Sequence, residues 1–181
     1  MDKTAEPLPK TLILGLGNAM LSDLGAGIEV VQQLRRRRPR PADIDLVRAG
    51  LVNISLAQVI SGYASLIVVE SRPIGGEPGN IVELQGRRMD EFLLQQTGDD
   101  ATLADIFGLL RPSGRFPAQR ALLLLQPASA RVGHGLSRPV AAALPRLIER
   151  VLARAAGWHA PPGDPPGTVQ VGPTLHGVNG W

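Results

Sequence analysis

The 181-residue sequence contains no cysteine, which excludes disulfide frameworks, thiolate metal sites and thiol nucleophiles together. Histidine is nearly as scarce: there are 3, and none precedes His134. Imidazole chemistry therefore has few places to form. Aromatic residues make up only 3% of the chain. No apolar run approaches the roughly 20 residues that a membrane-spanning helix needs, and blocks such as 66–69 and 122–125 are the size of single buried strands. The first ten residues combine acids with prolines and hold no apolar stretch. Neither a signal peptide nor a transit peptide is expected, and the reading is cytoplasmic, without membrane association. Lysine is rare too, since 17 arginines and 2 lysines face 16 acids for a net charge of +3. The arginines cluster at 35–40 and at Arg146, Arg150 and Arg154, with no aromatic residue near either group. These clusters read as cationic helix ends complementing the helix dipole, and no nucleic-acid partner is expected.

What the sequence does hold is a regular alternation of apolar periods. Residues 11–16 form a continuous apolar run, as in a strand buried on both faces of a parallel sheet. Ile28, Val31 and Leu34 then set a helical spacing that ends at the arginine run and Pro39. Residues 43–49 alternate like a strand near a sheet edge, 54–60 form a short helix, and 65–70 form an apolar strand ending in an acid. A glycine- and proline-rich loop over 72–80 leads to a strand at 81–84, expected antiparallel at an edge. Helices follow over 89–96 and 103–110, a buried strand over 121–125, and a long amphipathic helix over 137–156. Ser137 is expected to cap that last helix, and Pro145 to bend it or delay its start. The pattern predicts a three-layer α/β/α domain with a mainly parallel twisted sheet over residues 1–156. Residues 157–181, with 5 prolines, 6 glycines and both tryptophans, read as a loosely docked tail.

In such a sheet, ligands collect outside the carboxyl ends of the strands, where the strand order reverses. Gly17, Asn18 and Asp23 follow the first strand, Glu70 closes the third, and Asp99 and Asp100 precede the helix at 103. Gly15-Leu16-Gly17-Asn18 begins like a dinucleotide fingerprint, but Met20 stands where the third glycine belongs and no acid ends the second strand. A phosphate-loop lysine and a Gly-x-Ser-x-Gly elbow are also absent. Each candidate carries a plainer structural reading as well. Gly17 and Asn18 suit a turn, Asp23 suits a helix cap, and Asp99 and Asp100 suit a helix N-terminus. Glu70 would need a partner if desolvated, with Arg48 or Arg72 available.

The segment LILGLGNAMLSDLGAGIEVVQQL resembles the N-terminal signature of the hydrogenase maturation endopeptidases, a strand, a Gly-x-Gly-Asn turn and an acidic stretch opening a helix. The likeness continues through residues 67–70, EPGNIVEL, LADIFGLLRPSGRFP, residues 122–127 and GLSRPVAAALPRLIERVL, so that it spans about residues 11–154. The resemblance implies a cytoplasmic α/β/α endopeptidase that removes a C-terminal extension from the large-subunit precursor of a nickel-iron hydrogenase once nickel is inserted. It implies no firmly bound cofactor, the nickel belonging to the precursor and being sensed through three side chains. Those positions fall on Leu24, Glu70 and Asp99, with Asp23 matching the aspartate that precedes the first. The expected metal contacts are Glu70, Asp99 and Asp23, and the expected substrate contacts Gly17, Asn18 and Glu70. Leu24 cannot ligate a metal, and an oxygen-only set suits Mg²⁺ or Mn²⁺ better than Ni²⁺. His134 lies where the family has no ligand and reads as a loop or capping residue. The alternative reading is a non-catalytic assembly or chaperone-like relative that binds a hydrogenase subunit without cleaving it. A further one is a small enzyme with another substrate, built on Asp23, Glu70 and Asp99 around a hard metal.

Overall fold

A computed structural model describes residues 10–39, 42–50, 52–96 and 102–159. The chain runs β1 (Thr11–Leu16), a 3₁₀ turn (Ser22–Gly25), α1 (Ala26–Arg36), β2 (Ile44–Ala49), α2 (Ser55–Ile60), β3 (Ser65–Ser71), β4 (Ile81–Gln85), α3 (Arg87–Leu94), α4 (Leu103–Leu110), β5 (Gln119–Leu125) and α5 (Arg138–His159). The strands form one sheet in the order β2-β1-β3-β5-β4. All pairs are parallel except β4 with β5. This is the three-layer architecture the apolar periods predict, with the antiparallel strand at an edge.

Alternating side chains feed two cores. Ile13, Ile67, Val69 and Leu123 face α1 and α5, while Leu12, Leu14, Val68 and Leu122 face α2, α3 and α4. Covered on both sides, β1 is buried throughout, which is why its sequence is a continuous apolar run rather than an alternation. In β3 every residue is buried except Glu70. That interruption falls on the face of α2, α3 and α4, two residues past Val68.

Two glycines let α1 lie close against the sheet. A Cβ on Gly27 would come within 2.2 Å of the Leu16 carbonyl oxygen and 2.3 Å of that of Val69, and one on Gly15 within 2.2 Å of the Gly27 oxygen. Gly27 thus provides the close helix–strand packing that a third glycine at position 20 would serve in a dinucleotide fingerprint.

On the other face, Asp90 of α3 receives Arg120 through Nε at 2.8 Å and Nη2 at 2.6 Å, and Arg111 at the end of α4 through Nη2 at 2.7 Å. Burial pushes the Asp90 carboxyl up, but these two guanidinium groups outweigh it and hold its pKa below the ordinary aspartate range. Both arginines stack on Phe116 at 4.4 and 4.6 Å. The clamp fixes α3 and α4 as a unit.

The last helix begins where its apolar stripe predicts, and departs from expectation at its C-terminal end and at Ser137. It starts at Arg138 despite Pro145, because Pro145 lies on the exposed side, where water can serve the carbonyl left without its donor. It continues to His159, and Trp158 packs against the core three residues after buried Ala155. The Ser137 hydroxyl donates to Asp23 rather than accepting from the first turn. His159 closes the helix against β1, its Nε2 lying 2.8 Å from Thr11 Oγ1. The rest of the expected tail, with Trp181, lies outside the described residues.

Candidate functional site

The loop after β1 is shaped by its own backbone. Gly17 has φ +145°, and a Cβ there would lie 2.0 Å from the Leu24 carbonyl oxygen, so no larger residue fits. Its N–H donates to the Ala49 oxygen at 3.2 Å. Asn18 accepts from the Met20 N–H through Oδ1 at 2.9 Å and donates its own N–H to the Leu24 oxygen, a side-chain turn of the kind asparagine favours. Gly17 and Asn18 therefore build the loop.

Asp23 has a different task from the two considered for it. It is fully buried, and it caps neither the 3₁₀ turn nor α1. Its carboxylate reaches across to the connection between β5 and α5. Oδ2 accepts from the N–H groups of Ala128 and Ser129, both at 2.9 Å, and from the Ser137 hydroxyl at 2.8 Å, while Oδ1 accepts from the Ser137 N–H at 2.6 Å. Burial alone would raise its pKa, but the bonds from Ser137, Ala128 and Ser129 more than offset this and hold it below the ordinary aspartate range. Three donors converge on Oδ2 and one on Oδ1, so the carboxylate is engaged in holding the two loops together. A bridge between Leu21 and Gly133 and a bond from the Ser22 hydroxyl to the Gly135 oxygen complete the seam between the two loops.

Glu70 stands at the carboxyl end of β3, beside the reversal of strand order between β1 and β3. It lines a cavity of about 120 Å³ with Leu16, Val52, Arg72, Leu93, Gln96, Thr102 and Leu103. No hydrogen bond from a described residue reaches its carboxylate. The nearest cation is Arg72, whose Nε lies 3.6 Å from Oε1, with the two side chains 29% and 22% exposed. Of the two arginines the sequence offered, Arg72 is the partner, because residues two apart in a strand share a face. Arg48 lies exposed on the edge strand β2. Burial raises the Glu70 carboxyl above its ordinary pKa, and Arg72 offsets this only in part.

Of the five expected site residues, Glu70 alone lines this cavity among the described residues. Asp99 lies outside them, as does Asp100. No group of three His, Asp or Glu side chains comes together among the described residues. Leu24 is half-buried in the 3₁₀ turn, and His134 is exposed in the loop before α5.

The sequence profile of the hydrogenase maturation protease family matches residues 28–154. The chain belongs to that family. It is 31% identical over 163 residues to the hydrogenase expression/formation protein HoxM of Azotobacter vinelandii, covering 82% of this chain and 77% of the relative. It is 27% identical over 157 residues to the hydrogenase 2 maturation protease of Escherichia coli K12, covering 84% and 96%. The solved hydrogenase maturating endopeptidase HybD from E. coli superposes with a TM-score of 0.76 at 25% identity, covering 82% of this chain and 93% of that one. As a hydrogenase maturation protease by family, this chain has a function in hydrogenase maturation, and the comparisons do not favour the non-catalytic alternative. No helix among the described residues is long and apolar enough to cross a membrane.

Proposed function

We propose that this hydrogenase maturation protease removes the C-terminal extension of a nickel-iron hydrogenase large-subunit precursor, and that Glu70 is the acid that meets the precursor. The observation that carries this reading is the Glu70 carboxylate itself. It interrupts an otherwise buried strand, lines a cavity at the reversal of strand order and accepts no hydrogen bond from the described residues. A half-buried carboxylate left without donors costs stability, so the position is better matched to an incoming group than to the resting fold. Hydrolysis delivers a water oxygen to the scissile carbonyl carbon and a proton to the departing amine. Glu70 can receive the water proton in the first step and release it in the second.

The test is to incubate the purified protein with a nickel-loaded large-subunit precursor and follow the intact mass of the precursor. Loss of a C-terminal fragment by the wild type, abolished in Glu70→Gln, is the expected result. An intact precursor, under conditions in which the E. coli hydrogenase 2 protease cleaves its own substrate, would overturn the reading.

A further inference from the structure

Arg72 has more donors than the fold uses. Its backbone N–H donates to the Leu125 oxygen at 3.1 Å, carrying the β3–β5 ladder one residue past the end of the strand. Its guanidinium lies against the Phe92 ring, 5.9 Å from the centroid, with Nε 3.6 Å from Glu70 Oε1. No side-chain hydrogen bond joins Arg72 to another described residue. A guanidinium carries five N–H donors in a rigid plane, so donors and carboxylate acceptors stand side by side, both unspent, in a cavity otherwise walled largely by Leu16, Val52, Leu93 and Leu103. A peptide group presents the complementary pair, a carbonyl acceptor next to an N–H donor.

The same arrangement opposes a metal ion. A cation bound to a Glu70 oxygen at about 2 Å would share that oxygen's surroundings with the guanidinium already 3.6 Å from it, and like charges so close repel strongly at a half-buried site. The loop after β1 places no carboxylate in the lining of this cavity. Position 24 is leucine, and the oxygens of Asp23 are taken by Ala128, Ser129 and Ser137.

We propose that Arg72 is a substrate-contact residue that supplies the positive charge beside Glu70, so that the Glu70–Arg72 pair holds a backbone peptide group of the precursor and recognition does not require nickel in the precursor. This rests on the proposed function above and specifies how its site is addressed. Recognition through a guanidinium–carboxylate pair depends on the planar fork of arginine, which lysine reproduces only in part.

The experiment uses the full chain and one large-subunit precursor prepared in two forms, nickel-loaded and nickel-free, with binding measured by calorimetry and cleavage by intact mass. The wild type is expected to bind both forms with dissociation constants within about threefold, and to cleave both. Arg72→Met is expected to weaken binding of both forms by about tenfold or more, and Arg72→Lys to fall between, as for loss of a charge-assisted contact. Circular dichroism melting of both variants separates lost contact from lost fold. A preference of the wild type for the nickel-loaded form above about tenfold overturns the inference, as does wild-type binding by folded Arg72→Met. Either result leaves the assignment as a precursor peptidase standing. Failure to bind or cleave either form overturns that assignment, and the inference with it.

Discussion

One carboxylate lies in the loop after β1 and another at the carboxyl end of neighbouring β3, and the fold treats them oppositely. Asp23 is fully buried and accepts four hydrogen bonds. Glu70 is 22% exposed on its side chain, accepts none from the described residues and has one arginine at 3.6 Å. Burial raises the carboxyl pKa at both positions, yet hydrogen bonding reverses the outcome at Asp23 while Arg72 fails to at Glu70. An acid near a cleft is thus identified as structural or available by what its oxygens already hold, rather than by its position in a motif.

The contrast can be broken most severely at Asp23. Asp23→Ala would leave three part-buried N–H groups and the Ser137 hydroxyl without their acceptor and is expected to cost about 3–5 kcal/mol in urea unfolding. A cost below about 1 kcal/mol would show that water replaces the carboxylate readily. Gly27→Ala comes next. Its Cβ would press on the carbonyls of Leu16 and Val69, pushing the helix that follows Asp23 away from the strand that carries Glu70, at an expected cost of about 2–3 kcal/mol.

A pH series sharpens the comparison because the two acids should respond in opposite directions. The folded pKa of Asp23 lies below the ordinary value of 3.8, so its contribution is present above that value and is lost as pH falls through the folded one. The folded pKa of Glu70 lies above the ordinary value of 4.5, so its contribution is present below that value and is lost as pH rises through the folded one. Stability of the wild type should therefore fall more steeply than that of Asp23→Asn between pH 4 and pH 2, and less steeply than that of Glu70→Gln over the acid range. Parallel curves would count against the assignment. The smallest effect belongs to Glu70→Gln at neutral pH. It should stay within about 1 kcal/mol of the wild type, on the stabilising side, because the neutral amide removes a half-buried charge.

Much of this architecture could be read from apolar period alone, since β1 and β3 are continuous apolar runs and α5 carries a clear stripe. Glu70 could be read as well, because an acid ending such a run breaks the pattern at the edge where ligands bind. The partners of Asp23 could not. They lie 105 to 114 residues further along the chain, and no local spacing reports which backbone N–H groups a carboxylate will meet. The role of Gly27 was hidden for a related reason. Inside a helix, glycine signals only a weaker helix until the strand against it is known. The end of α5 was missed because only Trp158 continues its stripe beyond Ala155, and a lone aromatic among glycines and prolines is a faint signal.

The seam between the loop after β1 and the connection after β5 also bears on when the edge of the site takes shape. The anchors of Asp23 include Ser137, 114 residues later, a contact that closes most of the domain into one loop and bears its entropy cost. During synthesis the N-terminal strand emerges early, but its loop cannot take its final path until the start of α5 has been made and docked. The rim of the cleft therefore depends on two segments more than a hundred residues apart, and a polypeptide that ends before Ser137 lacks the seam that holds that rim in place.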